Sequence, residues 1–138
     1  MLDHHFSTVT PPAYAIREDE PKGIVRMMVE GFFDRQTLTL HFADCAKVVA
    51  RWRASGRPIR VLMDAHNLQP HSAENQAFVM QSFERIYFPG DRVAIMVNSS
   101  LVKMQMRRTH AHGNIIAFFV SESAASTWLM AHDQQSFV

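Results

Sequence analysis

The chain has 138 residues, of which 47% are hydrophobic, and its 14 basic side chains nearly balance its 13 acidic ones. A chain of this length folds as one domain and can bury roughly two thirds of its unfolded surface, so its core needs no disulfide or metal. The balanced charge disfavours a nucleic-acid partner, because such proteins usually carry a strong basic excess. The single cysteine, Cys45, excludes an internal disulfide and suits a reducing compartment.

The sequence pattern does not predict export or membrane insertion. No apolar run approaches the ~20 residues that span a bilayer, and the first six residues lack the basic and apolar regions of a signal peptide. We therefore expect a cytoplasmic, bacterial-type protein. Residues 1–12 lack periodicity and end in Pro11-Pro12, which predicts a flexible lead-in before a single domain over residues 13–138.

Two β-rich segments open the domain. Residues 13–17 and 24–32 are separated only by a turn-forming run, which predicts a hairpin whose first strand lies antiparallel at a sheet edge. Asp34 is a good N-cap for a helix over residues 35–55. Apolar residues recur there at steps of four and three, as one buried stripe requires: Leu38, Phe42, Cys45, Val49 and Trp52.

The rest of the chain alternates strands with helices. Strands are predicted over 59–64, 92–97 and 115–119, and helices over 73–88, 101–112 and 122–131. The inward face of the second helix is assigned to Ala77, Met80, Phe83, Ile86 and Tyr87, and that of the last helix to Ala125, Trp128 and Leu129. The order β-β-α-β-α-β-α-β-α predicts an α/β fold with a five-stranded mixed sheet and helices on both faces.

Several local signatures resemble, in the same order, the SpoIIAA-like branch of the STAS superfamily, the anti-sigma-factor-antagonist fold. They are Gly31 before the long helix, residues 60–64, residues 92–97, and a closing run over 119–129 with a phenylalanine, alanines and a Trp-Leu pair. The likeness spans about residues 13–132. It implies a non-enzymatic module, a mixed sheet and the strand order 1-3-2-4-5.

Ligand sites in open α/β sheets lie beyond the carboxyl ends of strands, which draws attention to the loop after residue 64. The residues there that we predict to contact a ligand or partner are Asp64, His66, Asn67, His71 and Ser72. The resemblance further implies a switch serine at the start of the following helix, and Ser72 is the only hydroxyl near that place. A phosphate on Ser72 would meet a helix N-terminus, although the simpler interpretation, which we favour, is that Ser72 is only an N-cap.

The predicted third helix carries more apolar surface than one inward stripe requires, next to a basic cluster. The branch is also similar to the CRAL-TRIO lipid-carrier fold, which implies an apolar ligand or contact with a membrane. A basic amphipathic helix can lie on an anionic membrane, form a lid over an apolar pocket, or simply pack on the sheet. The candidate contact residues here are Leu101, Met104, Met106, Arg107 and Arg108.

The leading hypothesis is a non-catalytic STAS-like module that recognises a protein partner or an apolar small molecule without a cofactor. An edge strand could also support a homodimer. The alternative is a lipid or membrane-surface binder that uses residues 101–112. The third hypothesis is a small enzyme that acts through Asp64, His66 and His71. The same residues make a metal site conceivable, but they lack a metal-binding spacing and we predict no metal. Cys45 lies on the apolar stripe and is expected to be an inert buried thiol.

Overall fold

The computed structural model describes residues 9–109 and 114–131, apart from the side chains of residues 101, 108 and 109. The first three elements are strand β1 (Ala13–Asp19), strand β2 (Ile24–Glu30) and helix α1 (Arg35–Ala54). They are followed by β3 (Arg60–Asp64), α2 (Ala73–Ile86), β4 (Arg92–Met96), α3 (Ser100–Thr109), β5 (Ile116–Phe119) and α4 (Glu122–Met130). The predicted element order and α/β class are confirmed. The predicted end of the third helix, residues 110–112, lies outside the described residues.

The strands lie in the sheet in chain order, β1-β2-β3-β4-β5, so the expected order 1-3-2-4-5 is wrong. β1 and β2 pair antiparallel over their whole length, from Ala13 opposite Glu30 to Asp19 opposite Ile24. A hairpin paired in this way leaves no place for another strand between its arms, so β3 pairs with the free edge of β2. The pairs β2–β3, β3–β4 and β4–β5 are all parallel.

Chain order also decides where the helices lie. The connections β2–β3, β3–β4 and β4–β5 each lead to the adjacent strand, always in the same direction across the sheet. Because such crossovers are right-handed, their three helices lie on one face. Side chains of α1, α2 and α3 share the larger core cluster on that face. α4 covers the opposite face, where Ala125 and Leu129 pack on Leu62, Ala94 and Met96. The predicted cover on both faces is therefore confirmed, three helices on one face and one on the other.

Helix α1 follows the predicted stripe. Asp34 caps it by accepting a hydrogen bond from the Thr37 N–H at 2.7 Å, and all five stripe residues are buried. Trp52 at the far end donates to a carboxylate oxygen of Glu18 at 2.6 Å, and Arg51 donates to the same carboxylate at 2.9 and 3.2 Å. These bonds hold the helix against the hairpin and lower the pKa of Glu18.

The predicted inward face of α2 is only partly right. Its buried residues are Asn75, Val79, Ser82 and Phe83. Ala77 is exposed and Met80 is half-buried. Asn75 can face inward because its amide donates to the Phe33 carbonyl at 3.3 Å. Ser82 donates to the carbonyl four residues earlier at 2.8 Å. Buried polar groups that find such partners carry little penalty, so hydrophobicity alone misplaces the helix face.

Candidate functional site

A cavity of about 450 Å³ lies on the face covered by α1, α2 and α3, beyond the carboxyl ends of β2, β3 and β4. The strand ends contribute Val29, Met63, Ala65, Ile95, Val97 and Asn98. The segment before α1 and the three helices contribute Phe33, Leu38, His41, Phe42, Gln76, Val79, Phe83, Val102, Gln105 and Met106. The loop before α2 closes one side with Leu68, Gln69, Pro70 and His71. Small-molecule sites have volumes of roughly 300–1,000 Å³, so this cavity is large enough for a ligand.

The cavity is apolar inside and polar at its outer end. The aliphatic and aromatic residues from the strands, α1 and α2 are almost fully buried, with exposures of 1% for Phe33, 5% for Ile95 and 6% for Phe83. The amide side chains that line the cavity are half-buried or exposed. A ligand would therefore meet an apolar interior and a polar rim made of amide side chains and one histidine, His71.

His41 is the polar exception inside the cavity, since it is only 2% exposed. Its ring lies 4.8 Å from that of Tyr14 and 5.0 Å from that of Phe42. Desolvation lowers the pKa of His41 to about 4, although the nearby Asp44 carboxylate opposes the shift. The imidazole is therefore neutral at pH 7 and can donate or accept a hydrogen bond without carrying a charge.

Cys45 lies next to His41, with its sulfur 3.5 Å from His41 Nε2. A catalytic cysteine–histidine pair needs an accessible thiolate, usually beside an imidazolium. Here burial raises the pKa of the Cys45 thiol to about 12 while it lowers that of His41. Both groups are neutral at pH 7, so this pair is not arranged as a nucleophile and base. Cys45 is buried, as the sequence predicted.

The loop residues at the rim are held in place from the N-terminal side. The Thr10 N–H donates to Gln69 Oε1 at 2.9 Å, and the Phe32 N–H donates to the Thr10 carbonyl at 2.8 Å. Gly31 joins the same network, because its N–H donates to the Asn67 carbonyl at 2.9 Å and its carbonyl accepts from the Gln69 N–H at 3.0 Å. The end of the predicted lead-in thus fixes the position of Gln69.

Of the three residues of the enzyme hypothesis, the structure pairs Asp64 with His66 and does not place that pair in the cavity. Asp64 Oδ1 accepts from the backbone N–H of His66 at 3.1 Å and lies 2.7 Å from its Nδ1. Met63 and Ala65 line the cavity, and side chains alternate along a strand, so Asp64 points to the other face of the sheet. Only His71 of the three lines the cavity. Within the described residues, no group of three or more His, Cys, Asp or Glu side chains could hold a metal ion.

The other two loop candidates have local structural roles. Ser72 is exposed and caps α2 by accepting from the Asn75 N–H at 3.2 Å. Asn75 in turn accepts from the Arg35 guanidinium at 3.1 Å. The exposed Asn67 contributes its backbone carbonyl to the contact with Gly31. Neither Ser72 nor Asn67 lines the cavity.

The third helix covers part of the cavity. Val102, Gln105 and Met106 face it, whereas Met104 points away and is 53% exposed. Arg107 is exposed, and the side chains of residues 101 and 108 lie outside the described part of the structure. No helix in that part is both long and apolar enough to cross a membrane.

Sequence reasoning missed most of the polar residues in the lining. His41 could have been found, because it falls three residues after Leu38 and four before Cys45, on the stripe that was read as wholly apolar. The amides left no such signal, since they lie on two loops and two helices with no common spacing: Gln69, Gln76, Asn98 and Gln105.

Comparison with known proteins identifies the fold. The sequence matches no protein-family model and no curated protein. The structure is similar to that of an uncharacterized protein from the DUF3478 family with a SpoIIAA-like fold, from Shewanella loihica PV-4. The two share 16% sequence identity with a TM-score of 0.62, over 87% of this chain and 96% of the other. The chain therefore has a SpoIIAA-like fold, as the sequence resemblance implied.

Proposed function

We propose that this chain, as a SpoIIAA-like module, works without catalysis and holds an apolar small molecule in the cavity between α1, α2, α3 and the sheet. The single observation that carries the proposal is the cavity itself, about 450 Å³ lined mainly by buried aliphatic and aromatic side chains. It also lies beyond the carboxyl ends of the parallel strands, where α/β folds bind ligands.

The chemistry of the lining supports binding more than catalysis. A nucleophile or a general base should titrate near the working pH or be activated by a neighbour. Burial moves the pKa values of His41 and Cys45 away from neutrality, to about 4 and about 12. The Asp64–His66 pair is about half exposed, with 48% and 38% of the two side chains accessible, and it does not line the cavity.

The orientation of α3 favours the small-molecule proposal over the membrane-surface alternative. Val102 and Met106, two of its apolar residues, face the cavity. On the outward side of α3, the described side chains include one exposed methionine, Met104, near the exposed Arg107. Strong binding to a membrane surface needs a broad apolar face to enter the lipid, and these two side chains do not form one.

Three other hypotheses from the sequence stay predictions: a protein partner, a homodimer and a switch at Ser72.

The test uses N-phenyl-1-naphthylamine, an uncharged apolar dye whose fluorescence increases when it leaves water. We expect saturable binding to the whole protein. Met106→Trp should weaken dye binding at least tenfold, because the larger side chain fills space that the dye occupies.

Met104→Trp is the matched control, since it places the same side chain on the exposed side of the same helix. It should leave dye affinity within about twofold of the original protein. Absence of saturable binding, or equal loss in both variants, would refute the cavity as the binding site. Sedimentation with anionic liposomes at low salt that Arg107→Glu weakens and Met106→Trp leaves unchanged would instead support the membrane alternative.

A further inference from the structure

We propose that the cavity selects uncharged ligands, in which an apolar body ends in a neutral hydrogen-bonding head such as an amide, a carbonyl or a hydroxyl group. This inference rests on the proposed function and adds the chemical class of the ligand. It is drawn from the way in which polar groups are distributed along the cavity.

The interior offers no opposite charge to an ionic ligand. Phe42, Met63, Phe83 and Ile95 are apolar and between 5% and 8% exposed. The buried imidazole of His41 lies among these residues, and burial keeps it neutral at pH 7. A carboxylate or ammonium group placed here would lose its hydration without gaining a counter-ion, which is far more costly than burying a neutral polar group that finds a hydrogen bond.

The polar side chains of the rim are amides and one histidine, His71. Four of its polar residues are amides: Gln69, Gln76, Asn98 and Gln105. An amide side chain both donates and accepts, so it can pair with a carbonyl, a hydroxyl or another amide. The described lining contains no Asp, Glu, Lys or Arg, and Lys103 and Arg107 of α3 are not part of it. At pH 8, where an ordinary histidine is neutral, a neutral head therefore finds partners at the rim, whereas an ionic head finds no ion pair.

The cavity volume sets the size of the ligand. A space of about 450 Å³ equals that of about fifteen waters, at ~30 Å³ each. This is room for an apolar chain or ring system of about ten carbons and its head group, packed less tightly than a protein core. Ten-carbon compounds that differ only in the head group are thus suitable probes.

The experiment measures displacement of bound N-phenyl-1-naphthylamine by decanamide, decanol, decanoate and decyltrimethylammonium at pH 8, where an ordinary histidine is neutral. We expect decanamide and decanol to compete at concentrations about tenfold lower than either ion. The factor is modest because a head at the rim keeps part of its water. If decanoate or decyltrimethylammonium competes as well as decanamide, the inference is wrong even though the dye binds. Absence of dye binding would instead overturn the proposed function.

Two glutamines on α2 provide a matched pair of variants. Gln76 lines the cavity, whereas Gln81 is exposed on the same helix and does not line it. Gln76→Arg should shift the ratio of decanoate to decanamide affinity at least tenfold toward decanoate, and Gln81→Arg should leave it unchanged. If Gln76→Arg does not fold by circular dichroism, Gln105→Arg on α3 serves the same purpose. An unchanged ratio in the folded rim variant would overturn the inference.

Discussion

Replacing Gly31 with alanine tests how tightly the N-terminal segment is packed against the rim of the cavity. Gly31 has a φ of +82°, and a Cβ added there would overlap the Pro11 carbonyl oxygen and lie 2.8 Å from that of Thr10. Both contacts are with backbone, so no side-chain rotation can relieve them. The segment around Thr10 and Pro11 must move away.

The cost of this change has two parts. An alanine in the left-handed region costs about 1–2 kcal/mol. Moving Thr10 also breaks the bonds that join it to Phe32 and Gln69, at 2.8 and 2.9 Å, and each such bond contributes about 0.5–1.5 kcal/mol. We expect Gly31→Ala to lower the free energy of unfolding by about 3 kcal/mol. A domain with roughly 5–15 kcal/mol of stability survives this loss.

Urea denaturation followed by tryptophan fluorescence measures the effect, and Gly56→Ala is the matched control. Gly56 has a similar φ of +78° but open space around the added Cβ, so its replacement should cost only the backbone term, about 1–2 kcal/mol. Removing residues 1–12 should reduce the cost of Gly31→Ala to that of Gly56→Ala. Equal costs for the two alanine variants in the full chain would refute the argument.

Two further predictions concern a buried histidine and a helix cap. Because burial lowers the pKa of His41 to about 4, the unfolded chain binds the proton more readily between about pH 6.5 and 4. The free energy of unfolding should therefore be highest above about pH 6.5 and fall by about 2 kcal/mol by pH 5, which urea denaturation at several pH values can measure. A His41→Phe variant that keeps this pH dependence would contradict the assignment. Ser72→Ala should lower the free energy of unfolding by about 1 kcal/mol, because α2 loses its N-cap. Ser72→Asp should lower it much less, and thermal unfolding of both variants measures the difference. Dye binding should be unchanged in both, and a loss of affinity would show that Ser72 contributes to the site.

Elements that depend on neighbouring residues were predictable from the sequence. The first helix is an example, since its cap and five buried stripe residues depend on spacing within one segment. The β1–β2 hairpin is another, because a short turn leaves its two arms little choice but to pair. The inward face of α2 was not predictable in this way. Asn75 and Ser82 are buried because carbonyl groups accept their hydrogen bonds, and one of these carbonyls belongs to a residue far away in the chain.

The candidate site was likewise predictable only where it depends on a local sequence pattern. The sequence located the end of β3 and the loop after it, because an apolar strand that stops at a carboxylate is a local pattern. It could not say which side of that strand the site occupies. Parallel strands in chain order place three crossover helices on one face, and that face encloses the cavity beside Met63. Asp64, one residue further, points to the opposite face. The tertiary arrangement of the helices therefore leaves Asp64 outside the cavity and places His41 and the rim glutamines in its lining.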